Sequence, residues 1–309
     1  MISLDGVLFF PVTPFDDKLA VDVGSLAAHV ERGVAAGPGA VFAAGGTGEF
    51  HALAPDEHRT VVATAVDATA GRVPVFAGAG GPLPVAVEQV RAASDVGADG
   101  VLLLPPYLVE APGAGLVAYC AAVTEATDLP VIVYHRANAV FDPVSAAALA
   151  DLPTVIGLKD GLGDLDLLTR IMAAIRARLG PSGRTFQFFN GLPTAELTAP
   201  AYAGLGVRLY SSAVFCFAPQ ISHAFARALA TDDTEAVRGL LDDFFVPLVA
   251  LRRQVPGYAV SLVKAATRLQ GQPVGGVRPP LVDPSAEHLD ELRRIIDAGT
   301  ALTESLARR

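Results

Sequence analysis

Val155-Ile156-Gly157-Leu158-Lys159-Asp160 reads as a buried strand that ends on a lysine. The chain has only three lysines, Lys18, Lys159 and Lys264. A strand covered on both faces offers a cation no water. Burial there disfavours the ammonium form and lowers the pKa, and a neutral amine is the nucleophile of Schiff-base chemistry. The plainer alternative is a lysine at a strand end that reaches solvent.

Outward from this strand the same pattern repeats. Short apolar runs at Val7–Val12, Ala40–Ala44, Val73–Ala77, Gly100–Leu104, Pro130–Tyr134, Phe186–Asn190 and Val207–Ser211 are continuous rather than alternating, the mark of parallel strands covered on both faces. Helical segments lie between them, near Val23–Ala36, Pro55–Ala70, Pro84–Val96, Gly115–Ala126, Val144–Ala150, Leu165–Arg178 and Thr194–Ala203. Asp22 is placed to cap the first, and Pro55-Asp56-Glu57 puts proline and acid in a first turn. Eight βα repeats over about 225 residues predict an α/β fold, a (β/α)8 TIM barrel. An open doubly wound sheet is weakened by the lack of GxGxxG after the first strand. The barrel is expected over 1–225. A C-terminal helical region is expected over 226–309, with helices near Gln220–Ala230, Thr234–Gln254, Tyr258–Leu269 and Ala286–Ala298. Gly271–Pro284, with four prolines and three glycines, reads as a linker or extended arm.

Composition narrows the class. Hydrophobic residues make up 51% of the chain and charged residues 18%, which calls for much buried surface, subunit interfaces included. No apolar run reaches a membrane span without Pro or charge, and the N-terminus lacks a basic signal region, so a cytoplasmic protein is expected. A net charge of −9 argues against nucleic-acid or anionic membrane partners. Cys120 and Cys216 sit in apolar contexts without CxxC spacing and read as buried free thiols. The six histidines form no metal-ligand pattern, and there is no GxSxG, so neither a metal nor a serine triad is expected.

In a barrel, chemistry sits at the C-terminal strand ends. There the chain carries Gly45-Gly46-Thr47-Gly48-Glu49, Tyr134-His135-Arg136-Ala137-Asn138, Lys159-Asp160-Gly161, Asn190-Gly191-Leu192-Pro193-Thr194 and Tyr210-Ser211-Ser212. The glycine loop can cradle a carboxylate or phosphate through its amides and one hydroxyl, or be a tight turn. It is not a P-loop, because no Lys-Ser/Thr follows. Tyr134 is a proton carrier if its hydroxyl reaches Lys159, and otherwise an amphipathic core residue. Arg136 is placed to pair a substrate carboxylate or to make a surface salt bridge.

These residues resemble the dihydrodipicolinate synthase / N-acetylneuraminate lyase superfamily of Schiff-base barrels, over essentially the whole chain. FAAGGTGEF (Phe42–Phe50), LLLPPYL (Leu102–Leu108), GLKDGLGD (Gly157–Asp164), GLPTAE (Gly191–Glu196), YSSAVF (Tyr210–Phe215), FFVPLVALR (Phe244–Arg252) and GYAVSLVKA (Gly257–Ala265) are similar to its 5-dehydro-4-deoxyglucarate dehydratase branch. The resemblance implies Lys159 as the imine-forming lysine and Tyr134 as the proton shuttle. It implies Thr47, with the Gly46 and Gly48 amides, as the loop holding the α-keto carboxylate. It implies no cofactor, a homotetramer, and a keto-deoxy sugar diacid converted to 2,5-dioxopentanoate, CO2 and water. Asn190, Gly191, Thr194, Ser211 and Ser212 are candidates for the substrate's hydroxyls and distal carboxylate.

There are departures from the synthase branch. Gly46 replaces its first loop threonine, and Leu108 follows Tyr107 where it has a second tyrosine, so that proton relay is not reproduced. Its arginine position falls near Asn138, which leaves Arg136 to take that place or another. His135 stands where the dehydratases are expected to have Asn. The rivals are an aldolase releasing pyruvate through the same imine, and a sugar-acid binding barrel without chemistry.

Overall fold

The structure, a computed structural model, describes residues 2–106, 109–181 and 184–308. Eight parallel strands close into a barrel in chain order, with the last pairing back to the first. They are β1 (Leu8–Phe9), β2 (Ala40–Ala43), β3 (Val75–Ala79), β4 (Gly100–Leu103), β5 (Val131–His135), β6 (Val155–Asp160), β7 (Gln187–Asn190) and β8 (Leu209–Ser212). The intervening helices are α1 (Val23–Ala35), α2 (Pro55–Thr69), α3 (Leu83–Asp95), α4 (Gly113–Thr124), α5 (Pro143–Leu149), α6 (Leu165–Leu179) and α7 (Ala199–Gly204). Asp22 caps α1 by accepting from the Ser25 N–H, as expected, and Pro55 opens α2.

Three expectations needed correction, each because of proline. The first strand is only two residues long, since Pro11 and Pro14 have no N–H for a ladder. Thr194–Ala203 is not one helix: a 3-10 turn at Ala195–Leu197 precedes α7, and Pro200 sits in the first turn of α7, where its missing N–H costs nothing. Thr234–Gln254 is α9 (Thr234–Leu240), a π-helical turn (Leu241–Phe245) and α10 (Val246–Arg252). Pro247 cannot donate to the turn before it, and the chain absorbs that by inserting a π turn. The remaining helices are α8 (Pro219–Ala230), α11 (Tyr258–Leu269) and α12 (Ala286–Ala307). Among the described residues no helix is long and apolar enough to cross a membrane.

The barrel interior is a packed core of Leu8, Phe10, Phe42, Phe76, Leu102, Ile132, Ile156 and Phe189, joined by Tyr134. Phe42 stacks between Phe10 (4.5 Å) and Phe76 (4.9 Å). A second layer packs the outer strand faces on the helices. One of its clusters runs from Phe9 and Val30 to Phe225, Leu240, Phe244, Phe245 and Leu292, joining barrel and C-terminal helices in one core. Removing each such phenylalanine from water contributes roughly 1.5–3 kcal/mol.

One irregularity decides the site. Val131 pairs with Val155, but Ile132 pairs with Gly157, so β6 carries one extra residue. Val155 and Leu158 both belong to the outer core, whereas strict alternation would put them on opposite faces. The bulge resets the alternation, and Lys159 lies opposite Tyr134 on the interior face.

Candidate active site

Lys159 is 4% exposed and stands at the floor of a cavity of about 350 Å3 over the C-terminal strand ends. Its Nζ lies 4.1 Å from the centre of the Phe10 ring, 4.6 Å from that of Tyr134 and 5.8 Å from that of Phe189. It makes no hydrogen bond or ion pair among the described residues. Burial, with the Arg136 charge adding to it, brings its pKa from the ordinary 10.5 down to about 7. A large share of the side chain is therefore free amine near neutrality.

Tyr134 donates from its hydroxyl to the Gly191 carbonyl (2.6 Å) and accepts from Arg136 Nη1 (3.2 Å). Burial raises its pKa, so the phenol keeps its proton. The backbone crowds this pair from the other side. A Cβ on Gly191 would lie 2.5 Å from Lys159 Cε and Cγ, and one on Gly161 would lie 2.7 Å from Tyr134 Cε2. Only glycine leaves Lys159 and Tyr134 where they are.

Asp160 anchors the strand end from behind. Its carbonyl accepts from the Gly191 N–H (2.6 Å), and its carboxylate accepts from the Tyr202 hydroxyl and the Leu162 and Gly163 amides. His135 is buried beside it. Its Nδ1 accepts from the Phe141 N–H (3.0 Å), which leaves Nε2 carrying the proton, 4.0 Å from Asp160 Oδ1. Burial holds this imidazole neutral. His135 thus supports the β5 loop and does not line the cavity.

Of the residues singled out in the sequence, Lys159, Tyr134, Gly46, Thr47, Arg136, Gly191, Thr194 and Ser211 line this one cavity. The Gly46 and Thr47 N–H groups have no acceptor among the described residues, which suits an anion. Gly48 is not on the cavity wall; its carbonyl accepts from Thr13 Oγ1 (2.6 Å), a bond that leaves its amide uncommitted. Three others are spent elsewhere. Asn138 donates to the Pro106 and Val109 carbonyls, Asn190 donates to Ala195 O and Thr198 Oγ1, and Ser212 donates to Glu196 Oε1. These side chains hold loops rather than face the cavity. Tyr107 and Leu108 lie outside the described residues. No group of three metal-ligating side chains occurs among the described residues.

Three side chains in or behind the cavity wall were not anticipated. Arg252, at the end of α10, lines the cavity and donates to Thr194 Oγ1. Glu196 is fully buried behind that wall. Its Oε2 and the Tyr210 hydroxyl have no partner among the described residues, and burial raises its pKa to about 7. Lys264 reaches Glu49, at the end of the glycine loop. Pro247 inside a helical stretch was a readable sign of an irregular turn, and Lys264, one of three lysines, sits in the apolar run Leu262-Val263-Lys264-Ala265-Ala266.

Comparison with known proteins agrees with this geometry. Residues 3–299 match the dihydrodipicolinate synthetase family. A protein of Streptomyces griseus described as a probable 5-dehydro-4-deoxyglucarate dehydratase is 58% identical over 96% of this chain and 92% of its own length. One of Paracidovorax citrulli with the same description is 43% identical over 94% of each. Among solved structures, dihydrodipicolinate synthase from Oceanobacillus iheyensis superposes with a TM-score of 0.87 at 28% identity, covering 96% of both chains. The pyruvate complex of the Acinetobacter baumannii synthase does so at 0.83 and 26%, covering 96% of this chain and 99% of its own. A closed parallel barrel with its buried amine at the end of β6, matched along nearly its whole length, makes this chain a member of the dihydrodipicolinate synthetase family.

Proposed function

We propose that the chain is a decarboxylating dehydratase that converts 5-dehydro-4-deoxyglucarate to 2,5-dioxopentanoate, CO2 and water. The observation that carries this reading is Lys159, a desolvated amine that has no partner among the described residues and faces a cavity whose described wall has no Asp or Glu. The descriptions of the Streptomyces griseus and Paracidovorax citrulli relatives support the choice of substrate.

Lys159 attacks the ketone, water leaves, and a protonated imine forms. The iminium acidifies the neighbouring methylene, because the electron pair released there is drawn into an enamine. Expulsion of the β-hydroxyl as water gives a conjugated iminium. Loss of CO2 from the far end sends the carbon–carbon bonding pair into that conjugated system, with nitrogen as the sink. Protonation, tautomerisation of the enol to the aldehyde and hydrolysis release the product and restore Lys159. Tyr134, hydrogen-bonded within the site, is the first candidate to move protons on and off the carbinolamine. Gly46 and Thr47 take the carboxylate next to the ketone. The imine is itself the electron sink, so the chemistry calls for no added cofactor. Assembly as a homotetramer belongs to the same reading, and light scattering would count the subunits.

End-point analysis with 5-dehydro-4-deoxyglucarate tests this. Equimolar CO2 and 2,5-dioxopentanoate without pyruvate are expected. Pyruvate without CO2 would make the chain an aldolase on the same lysine. Failure of borohydride to trap any 2-keto acid on the protein would reduce it to a binding barrel.

A further inference from the structure

Two arginines line the cavity. Arg136 donates to the Tyr134 hydroxyl and Arg252 to Thr194 Oγ1. Neither is ion-paired among the described residues, whereas others are, such as Arg178 with Asp151 and Arg278 with Glu57. The chain as a whole is acidic, at −9, yet among the described residues the wall of this cavity carries cations and no Asp or Glu. Taking a guanidinium half out of water and leaving it without an anion costs free energy unless a ligand supplies the charge.

The two are not equivalent. Arg136 donates to the hydroxyl of Tyr134, whose ring centre lies 4.6 Å from Lys159 Nζ, so it sits beside the imine; Arg252 lines the same cavity from α10 and is held by Thr194, in the loop after β7. A six-carbon keto diacid joined to Lys159 has one carboxylate adjacent to the imine carbon and the other four carbon–carbon bonds away. The near one falls to the Gly46–Thr47 loop. The far one needs a cation at a distance.

The backbone is built to put Arg252 there. The π turn at Leu241–Phe245 adds a residue to the helix and so rotates all of α10 by about 100° relative to an uninterrupted α-helix. Leu248 and Arg252, four residues apart on one face, turn to the cavity in consequence. Thr194, whose backbone is left-handed (φ 52°), holds the guanidinium from below. Glu196 and Arg252 feel each other's charge, but no ion pair joins them among the described residues: Glu196 stands behind the wall with Oε1 accepting from Ser212, while Arg252 lines the cavity.

We propose that Arg252 binds the distal carboxylate and makes the site selective for keto diacids over keto monoacids. This rests on imine formation at Lys159. The guanidinium, with Thr194 as its support, receives the carboxylate through charge-assisted hydrogen bonds.

The test is borohydride trapping of two probes, 2-oxoadipate and pyruvate, on the full chain and on Arg252→Met and Arg252→Lys. The six-carbon diacid is expected to reach half-maximal trapping at lower concentration than pyruvate on the unaltered protein. Arg252→Met should raise the 2-oxoadipate value about 30-fold or more and move the pyruvate value less than about 3-fold. Arg252→Lys, which keeps the charge and loses the fork, should fall between. Equal shifts for both probes, no shift for either, or no preference for the diacid in the unaltered protein would overturn the assignment. A protein that traps 2-oxoadipate selectively through Arg252 but yields no CO2 from 5-dehydro-4-deoxyglucarate would refute the dehydratase reading and leave this one standing.

Discussion

Lys264 Nζ lies 2.7 Å from Glu49 Oε1, and both side chains are fully buried although 215 positions separate them in the chain. The pair ties α11 to the end of the glycine loop that carries Thr47. The other Glu49 oxygen accepts from the Arg278 N–H (3.0 Å), and Lys264 also donates to the Gly276 carbonyl (2.6 Å). Phe15 lies under both cations, 4.0 Å from each. The Gly271–Pro284 segment is thus an arm strapped over the loop. Glu49 needs this support because its backbone is left-handed (φ 57°), an unfavourable conformation for a residue with a side chain.

Removing one partner of such a pair leaves the other charge buried alone. Lys264→Met should cost about 3–5 kcal/mol, read from denaturant unfolding, and should raise KM through the loosened loop. The double variant with Glu49→Gln should regain most of that loss. A double variant no more stable than Lys264→Met would show that the pair acts through packing instead.

Lys159→Met should abolish turnover and imine trapping while stabilising the protein. The folded pKa of about 7 lies below the unfolded 10.5, so the unfolded chain binds more protons between these values. Stability therefore rises with pH from about 7 to 10.5 in the unaltered protein. The methionine variant should lose that slope and gain on the order of 2 kcal/mol or more at pH 7. Melting curves from pH 6 to 10 would show both. By the same titration, imine formation by the unaltered protein should accelerate as pH rises through about 7.

Gly191→Ala puts a methyl group 2.5 Å from two Lys159 carbons and 2.9 Å from Tyr134 Cε2. The lysine must move, and its aim at the ketone goes with it. A loss of about 100-fold in kcat/KM is expected with the barrel still folded, because misplacement by an ångström is that costly. Near-normal activity in a folded variant would mean that Lys159 acts from another rotamer.

Glu196 contributes to stability in the opposite sense to a carboxylate that is paired in the fold. Burial lifts its folded pKa to about 7, so the folded protein binds more protons than the unfolded one between about 4.5 and 7. Its cost to stability is absent below 4.5, grows as pH rises, and is complete above 7. Glu196→Gln keeps an acceptor for Ser212 and removes the charge. It should stabilise the protein by about 1–3 kcal/mol at pH 8 and by nothing at pH 4. A gain of equal size at both pH values would exclude the charge as its cause.

Much of this was legible in the residue order. Short continuous apolar runs bounded by turn residues are the mark of strands covered on both faces, and their spacing leaves room for one helix between each pair, so the count of eight led to a barrel. A lysine in such a run stood out because the chain spends lysine so rarely. The cavity residues followed from the rule that strand ends and the loops after them carry chemistry. Asn138, Asn190 and Ser212 satisfy that rule too, yet their polar atoms hold loops; a residue's position at a strand end says nothing of which hydrogen bond it makes.

The sequence by itself determined the repeat, the closed sheet and the amine at the end of β6. Tertiary structure alone decided which way that amine points. Side chains alternate along a strand, so one extra residue reverses every face beyond it, and the bulge after Val155 leaves no mark in an apolar run where every residue is buried. The same holds for Arg252 and Lys264. Their pairings with Thr194 and Glu49 cross 58 and 215 residues, and local pattern carries no information about contacts that arise only when the C-terminal helices dock on the barrel.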